Sequence, residues 1–285
     1  MRRRSRRVSL PVTDDRTVEG FGYEWTKFDQ SARSEADLRE TFLKYFAGFP
    51  WDDIAEGAKA LDAGCGTGRW ARFAAERVTS LHCVDPSLPA VRVASRATRD
   101  RRNCHTLQAA AGQLPFAEAT FDLGYCLGVL HHTPNPAAAL MDVVRTLKVG
   151  APLLVYVYYA LDNRPLWFRA AWRASDLLRR ALSLAPVRWR YFPTQLIAVL
   201  VYLPMARFAA ALERRGINVD ALPLSAYRNK SLYVMRTDAF DRLGTRVEKR
   251  FTARQLEELM VDAGLSKVTV AQTAPHWRAL GYRTA

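Results

Sequence analysis

The 285-residue chain is 49% hydrophobic and 25% charged, a composition that supports a packed core and excludes disorder along the whole length. Its net charge of +14 is uneven: residues 1–7 carry five arginines and no acid, and the stretch 160–216 sets ten arginines against Asp162, Asp176 and Glu213. The basic character belongs to a tail and one segment, which leaves anionic lipid, nucleic acid, an acidic substrate or plain solvent as what they face.

Residues 1–16 read as a disordered basic tail. Ser5-Arg-Arg-Val-Ser-Leu10 is superficially like a twin-arginine export signal, but Thr13-Asp-Asp-Arg16 follows where an apolar stretch is needed, so export is rejected. Residues 17–58 read as an N-terminal cap. Leu38, Phe42, Tyr45 and Phe46 recur at helical spacing and place a helix in the second half of Phe21–Pro50.

From residue 59 short apolar runs alternate with helical patterns. Strands are expected over 60–63, 80–84, 105–109, 121–127 and 151–158, with helices over 70–77, 88–98 and 136–147. Asn135 is the expected N-cap of the last helix, Pro136 its first residue, and Gly150 lies just beyond its end. Such alternation predicts an α/β fold with a doubly wound, mostly parallel sheet. The alternation stops over 160–230. It resumes at Thr252, where Thr252 and Gln255 form a capping box and Gly264 ends the helix, before a last strand over 267–272. Residues 231–285 thus complete the core begun at 59–159.

The loop after the first strand is Asp62-Ala-Gly-Cys-Gly-Thr-Gly68. Glycines between a strand and a helix let the backbone turn sharply and let a ligand lie against it. A dinucleotide fingerprint needs glycine at position 69, where Arg69 stands, and a P-loop needs Gly-Lys-Ser/Thr, which is absent. The second strand ends on Asp85, 17 residues after Gly68, where a carboxylate can accept both hydroxyl protons of a ribose.

Leu61–Gly68, Val84-Asp-Pro-Ser87, Leu114-Pro-Phe116 and Phe121–His132 together resemble class I S-adenosylmethionine-dependent methyltransferases of the broad small-molecule group. The resemblance covers 59–158 well and 231–272 more weakly. It implies S-adenosylmethionine as cofactor, with Asp62 near the methionine amino group and Asp85 on the ribose. Gly64, Cys65, Gly66 and Gly68 would cradle the ligand, Pro86 would follow the ribose acid, and Leu127 and Gly128 would line the methionine end. The family often places an acid on the adenine amino group before the Leu-Pro-Phe element; Ala110 stands there, followed by Ala111, so the adenine contacts depart from the pattern. N-terminal segments in related enzymes cover the cofactor. Tyr23 and Trp25 are the matching candidates here, with packing of the first helix as their other reading.

Methyl transfer needs alignment, water exclusion and, where the nucleophile must lose a proton, a base. His131 and His132 follow the fourth strand at the sheet's carboxyl edge and are the candidate bases; their other reading is loop shaping. Cys65, Cys83, Cys104 and Cys126 form no CxxC pair, so no metal site is expected and free thiols suit a cytoplasmic protein.

Residues 160–230 read as a helical insertion that roofs the acceptor. In 164–183 Arg169, Arg173, Asp176 and Arg180 form a polar stripe opposite Trp167, Ala170, Ala174, Leu177, Leu178 and Ala181. The apolar side is expected to face the pocket, with the arginines on the opposite stripe free for solvent, an acidic group on the substrate or a membrane surface. No segment reaches a membrane span's length, the longest candidate being 196–206 with Pro204 inside it. Peripheral contact with an anionic membrane through 164–212 is a second use open to such basic amphipathic helices. The expected reaction is methyl transfer to a small, largely apolar acceptor on oxygen, nitrogen or carbon. A nucleic-acid acceptor is disfavoured, because the Asn/Asp-Pro-Pro-Tyr/Phe and Pro-Cys elements of such enzymes are absent. A non-enzymatic membrane- or partner-binding module that retained the fold is the third reading.

Overall fold

Five apolar runs become parallel strands: β1 (Lys59–Ala63), β2 (Ser80–Asp85), β3 (Cys104–Gln108), β4 (Leu123–Leu127) and β5 (Pro152–Tyr158). Every residue of β4 and β5 is buried, as strands covered on both faces require. The computed structural model describes residues 13–162, 164–220, 222–273 and 276–285. The arginine run at 2–7 and the Ser5–Leu10 segment lie outside the described residues.

Among the described residues the sheet has seven strands, not the six expected. In place of one strand at 267–272 the chain makes a hairpin, β6 (Leu265–Thr273) and β7 (His276–Arg283). The sheet order is β3-β2-β1-β4-β5-β7-β6, and β7 runs antiparallel between β5 and β6. The sequence of β7 mixes His276, Arg278, Gly281 and Arg283 with apolar residues, which hides a strand that tertiary pairing selects. The strand order reverses between β1 and β4, which pair Asp62 with Tyr125. The crevice beyond their carboxyl ends is the ligand position of open α/β sheets.

Two helices precede the sheet. α1 (Asp15–Lys27) is capped by Asp14, whose carboxylate accepts from the Thr17 amide, and α2 (Glu35–Tyr45) by Ser34. The chain is therefore helical from Asp15, earlier than the expected end of a disordered tail at residue 16. α3 (Ala71–Ala74), α4 (Leu88–Ala97) and α5 (Pro136–Thr146) connect the strands, and Asn135 caps α5 as expected. One face of the sheet buries Leu61, Val84, Leu140 and Val143 in a first core; Phe42, Phe46, Trp70 and Phe73 fill the second.

The segment expected to be a helical insertion is helical: α6 (Leu166–Leu184), α7 (Val187–Ile197), a wide-turned stretch Ala198–Tyr202, and α8 (Leu203–Glu213). Val187–Glu213 is one 27-residue helical rod, long and apolar enough by length and composition to span a membrane. This corrects the shorter 196–206 estimate. The rod accommodates Pro193 inside it and Pro204 in the first turn of α8 rather than ending at either.

These helices pack on α9 (Leu232–Gly244), and α6 turns inward a face with Asp176 and Arg179 rather than the expected apolar side, while Arg173 and Arg180 stay exposed. The buried residues of α6 are Asp176, Arg179 and Ser183, whereas Trp167, Leu177, Leu178 and Leu184 are exposed. The reason is hydrogen bonding. Arg179 is clamped by Asp176 at 2.6 Å and donates to the carbonyls of Thr245 and Arg246 at 2.8 and 3.0 Å; Arg190 donates to Gly244 O at 2.8 Å. Two buried arginines satisfy orphan carbonyls at the carboxyl end of α9, the end that attracts cations. Finally α10 (Ala253–Asp262) carries the expected Thr252–Gln255 capping box and packs under the hairpin.

Candidate active site

The end of β2 holds the glycine loop in place. The amides of Gly64 and Cys65 both donate to Val84 O, at 2.8 and 2.9 Å. Asp85 completes the support: Oδ2 accepts from the Gly66 amide at 3.0 Å and Oδ1 from the Ser87 amide at 2.9 Å. Each oxygen keeps a lone pair for a further donor. Burial lifts the Asp85 carboxyl to about 6, against the two amides that hold it down. Gly64 has φ +84°, and a Cβ there would overlap Val129 on the loop after β4. Only glycine fits between these two loops.

Above the loop lies a cavity of about 440 Å³, within the range that encloses a small ligand. Of the expected cofactor residues, Gly64, Cys65, Gly66, Asp85, Pro86, Leu127, Gly128 and Trp25 line it. Trp25 reaches across from α1, its indole nitrogen within 3.2 Å of where a Gly66 Cβ would sit, and Arg69 stacks on its ring.

Several expected residues stand elsewhere. Tyr23 does not close the site: α1 turns it toward Tyr191 and Phe240, with ring centroids about 6 Å away, in a small packing cluster. Gly68 lies off the cavity wall, where its lack of a Cβ admits Ala94 of α4 to 3.1 Å of the missing atom. Ala110 and Ala111 are not among the lining residues; Ala111 packs into the first core. Asp62 is buried off the cavity wall beside Tyr125 of β4, and among the described residues neither its Oδ2 nor the Tyr125 hydroxyl has a hydrogen-bond partner within bonding geometry. Burial pushes its carboxyl well above the usual range. A buried acceptor without a partner is what an ammonium donor would satisfy. With the glycine cradle and the two-pronged Asp85, this donor and acceptor set fits S-adenosylmethionine.

The roof is not the one expected. Among the described residues, none from 164 to 213 lines the cavity; the insertion contributes only Ala226, Tyr227 and Lys230. The covering elements are α1, through Thr17, Phe21 and Trp25, and α9, through Val234, Asp238, Asp241 and Arg242. α9 falls in the stretch read as core completion, and its apolar residues gave no signal that it faces a ligand.

Both expected histidines reach the cavity, with different chemistry. His131 is buried with neither ring nitrogen hydrogen-bonded among the described residues, and burial pushes its imidazole well below the ordinary range, so it is neutral. Its ring lies 4.1 Å from that of Tyr158. His132 has Nδ1 at 2.8 Å from Val247 O. A carbonyl only accepts, so Nδ1 carries a proton, and in the neutral ring the lone pair is then on Nε2. Nε2 stands 3.8 Å from Oδ1 of Asp241, and Oδ2 of that carboxylate accepts from the Tyr158 hydroxyl at 2.6 Å. Burial holds the Tyr158 phenol well above its usual range, so it remains a donor. Asp241 is a cavity residue that sequence reasoning misses: it sits 109 positions beyond His132, with no motif around it.

Residues 61–155 match the family model described as a methyltransferase domain. The chain is 27% identical over 147 residues to cycloartenol-C-24-methyltransferase 1 of Oryza sativa, covering 50% of this chain and 41% of that protein. It is 25% identical over 190 residues to a ubiquinone biosynthesis O-methyltransferase of Hydrogenovibrio crunogenus, covering 66% and 73%. The chain thus spans less than half of the plant enzyme it matches. Its fold is similar to a chain of the Haloferax volcanii complex between a methyltransferase and its activator, with a TM-score of 0.55, 15% identity, and coverage of 93% and 98%. With the glycine loop, the Asp85 support and the strand order on one sheet, the match over 61–155 supports a class I S-adenosylmethionine-dependent methyltransferase domain in this chain.

Proposed function

We propose that this protein methylates a small, largely apolar acceptor at a nucleophile that sheds a proton, a hydroxyl being the best fit. The observation that carries this reading is His132, whose Nδ1 proton is held by Val247 and whose Nε2 lone pair faces the cavity beside Asp241. When bound, S-adenosylmethionine supplies a methyl group on a sulfonium that departs as a neutral thioether. His132 takes the acceptor's proton at Nε2 as the nucleophile's electron pair forms the new bond to the methyl carbon. Asp241 then faces an imidazolium and stabilises it, while Tyr158 fixes the carboxylate's orientation. Phe21, Trp25, Tyr45 and Tyr156 give the cavity an aromatic wall that suits a ring-bearing or hydrocarbon acceptor and excludes water. The named activities of the relatives on a sterol and in ubiquinone biosynthesis support an apolar acceptor.

The test is transfer from methyl-labelled cofactor to a panel of apolar hydroxylated, aminated and unfunctionalised ring compounds, read by mass spectrometry. Methylation confined to the hydroxylated set supports the reading. Cofactor binding by calorimetry with no methylation across the panel or in cell extract would sink the enzymatic reading and leave the binding-module alternative.

A further inference from the structure

The outer surface of the α6 to α8 module is the least expected part of the molecule. Among the described residues, fourteen of the twenty exposed large hydrophobic side chains fall between Leu166 and Ile217. Trp189 and Phe192 are 75% and 74% exposed, and Leu177 and Leu184 about as open. Arg179 and Arg190 are consumed at the end of α9, so the leucines and tryptophans are left outside. Such a concentration of exposed apolar side chains in one module marks an interaction site rather than ordinary surface.

Its rim carries one sign of charge. Arg173, Arg180, Arg188, Arg207, Arg214 and Arg215 are exposed, and the only exposed acid described between 164 and 217 is Glu213. We propose that this face docks the protein on an anionic lipid bilayer, lying in the interface without crossing it. Apolar side chains flanked by arginines match a plane of anionic headgroups over hydrocarbon, with the long arginine stems reaching back to the headgroups.

Two observations separate this from its neighbours. The rod does not cross, because a stripe from Val187 through Thr194, Ala198 and Tyr202 to Ala209 is buried on the protein, and Arg190 in that stripe is hydrogen-bonded to Gly244. A spanning helix would have to abandon those contacts. A second copy of the chain is a poorer occupant, since a two-fold pairing on this face would set the basic rim against itself. The inference is independent of the acceptor's identity: no residue of 164–213 lines the cavity among those described.

The experiment is flotation of the full chain with phosphatidylcholine vesicles, with and without a minority of phosphatidylglycerol. Binding should be about tenfold or more stronger with the anionic lipid and fall with added salt. The double variant Trp189→Ser, Phe192→Ser should lose about tenfold or more of that binding. Both side chains are exposed, so calorimetry should show cofactor affinity unchanged, which keeps a folding defect distinguishable. Retention of vesicle binding by the double variant would overturn the proposal, leaving charge alone as the cause. So would absence of vesicle binding by the parent protein, or a concentration-dependent dimer that the same variant abolishes.

Discussion

Oδ1 of Asp241 stands 3.8 Å from Nε2 of His132, although the two residues belong to opposite walls of the cavity. His132 comes from the loop after β4, on the sheet side, and Asp241 from α9, which covers the site. The pair exists only when the cover is seated. If His132 is the base proposed above, proton removal depends on the seating of α9, because without it His132 lacks the carboxylate that would stabilise its protonated form.

His132→Ala should lower turnover by about 10²–10⁴ with cofactor affinity intact, because it removes the base and touches no cofactor contact. Asp241→Asn should cost less, since the base survives and only the charge beside it is lost. His131→Ala should leave turnover within about fivefold, because His131 is neutral and packs on Tyr158. Steady-state kinetics together with calorimetric cofactor affinity decides; loss below fivefold for His132→Ala would assign both histidines to loop shaping.

Asp85 makes a pH prediction with two opposite signs. Its folded carboxyl titrates near 6, above the unfolded value of about 3.9. A raised value means that its contribution to stability is present below about pH 4 and is lost as pH rises through 6. Cofactor binding runs the other way, because ribose hydroxyls are donors and need the carboxylate. Affinity measured by calorimetry should therefore climb as pH rises from about 5 to 7. Asp85→Asn should flatten this profile and weaken binding more than tenfold at neutral pH, the loss of charge-assisted bonds worth about 1.5–3 kcal/mol. An unchanged profile in the folded variant removes Asp85 from the site.

Gly64→Ala should abolish cofactor binding and destabilise the protein. Two causes are separable. The backbone at φ +84° opposes any side chain, roughly 1–2 kcal/mol, and the new methyl overlaps Val129. Adding Val129→Ala relieves only the second. In denaturant titrations the double variant should recover part of the lost stability while cofactor binding stays weak. Full recovery of both would mean that the backbone conformation is not required.

The parallel half of the fold was legible because its signals are local. Glycines after a strand, Asn135 and Pro136 opening a helix, and the Thr252–Gln255 box each act within a few residues, and each appears where the sequence puts it. The same holds for the cavity floor from Gly64 to Asp85. What failed is what depends on partners distant in sequence. The amphipathic pattern of α6 has the right period, but its apolar side is not the buried one: periodicity locates a stripe, while the carbonyls at Gly244, Thr245 and Arg246 draw Arg179 and Arg190 inside and leave Arg173 and Arg180 exposed. Tyr23 and Trp25 are two positions apart on one helix, so only one of them can face the cavity. β7 needed β5 and β6 on either side before its mixed sequence made sense.

The expected roof over the site moves from α6–α8 to α1 and α9, and hydrogen exchange tests that reassignment. α1 contacts the cavity through Phe21 and Trp25, and Trp25 lies on the glycine loop where the ligand's approach begins. It also carries Glu24, a buried acid whose Oε1 has no partner among the described residues and whose carboxyl burial raises well above the usual range. Such a group opposes tight seating of the helix, because it must be held neutral in a site without a donor for it. α1 should therefore open readily in the free protein. On addition of the cofactor product the amides of 15–27 should gain protection, and those of 232–244 should gain further when an acceptor is added. The 166–213 helices should not respond, since no described residue from 164 to 213 touches the cavity. Protection gained in 166–184 instead, with α1 indifferent to ligand, would restore the roof to the insertion and return Trp25 to plain packing.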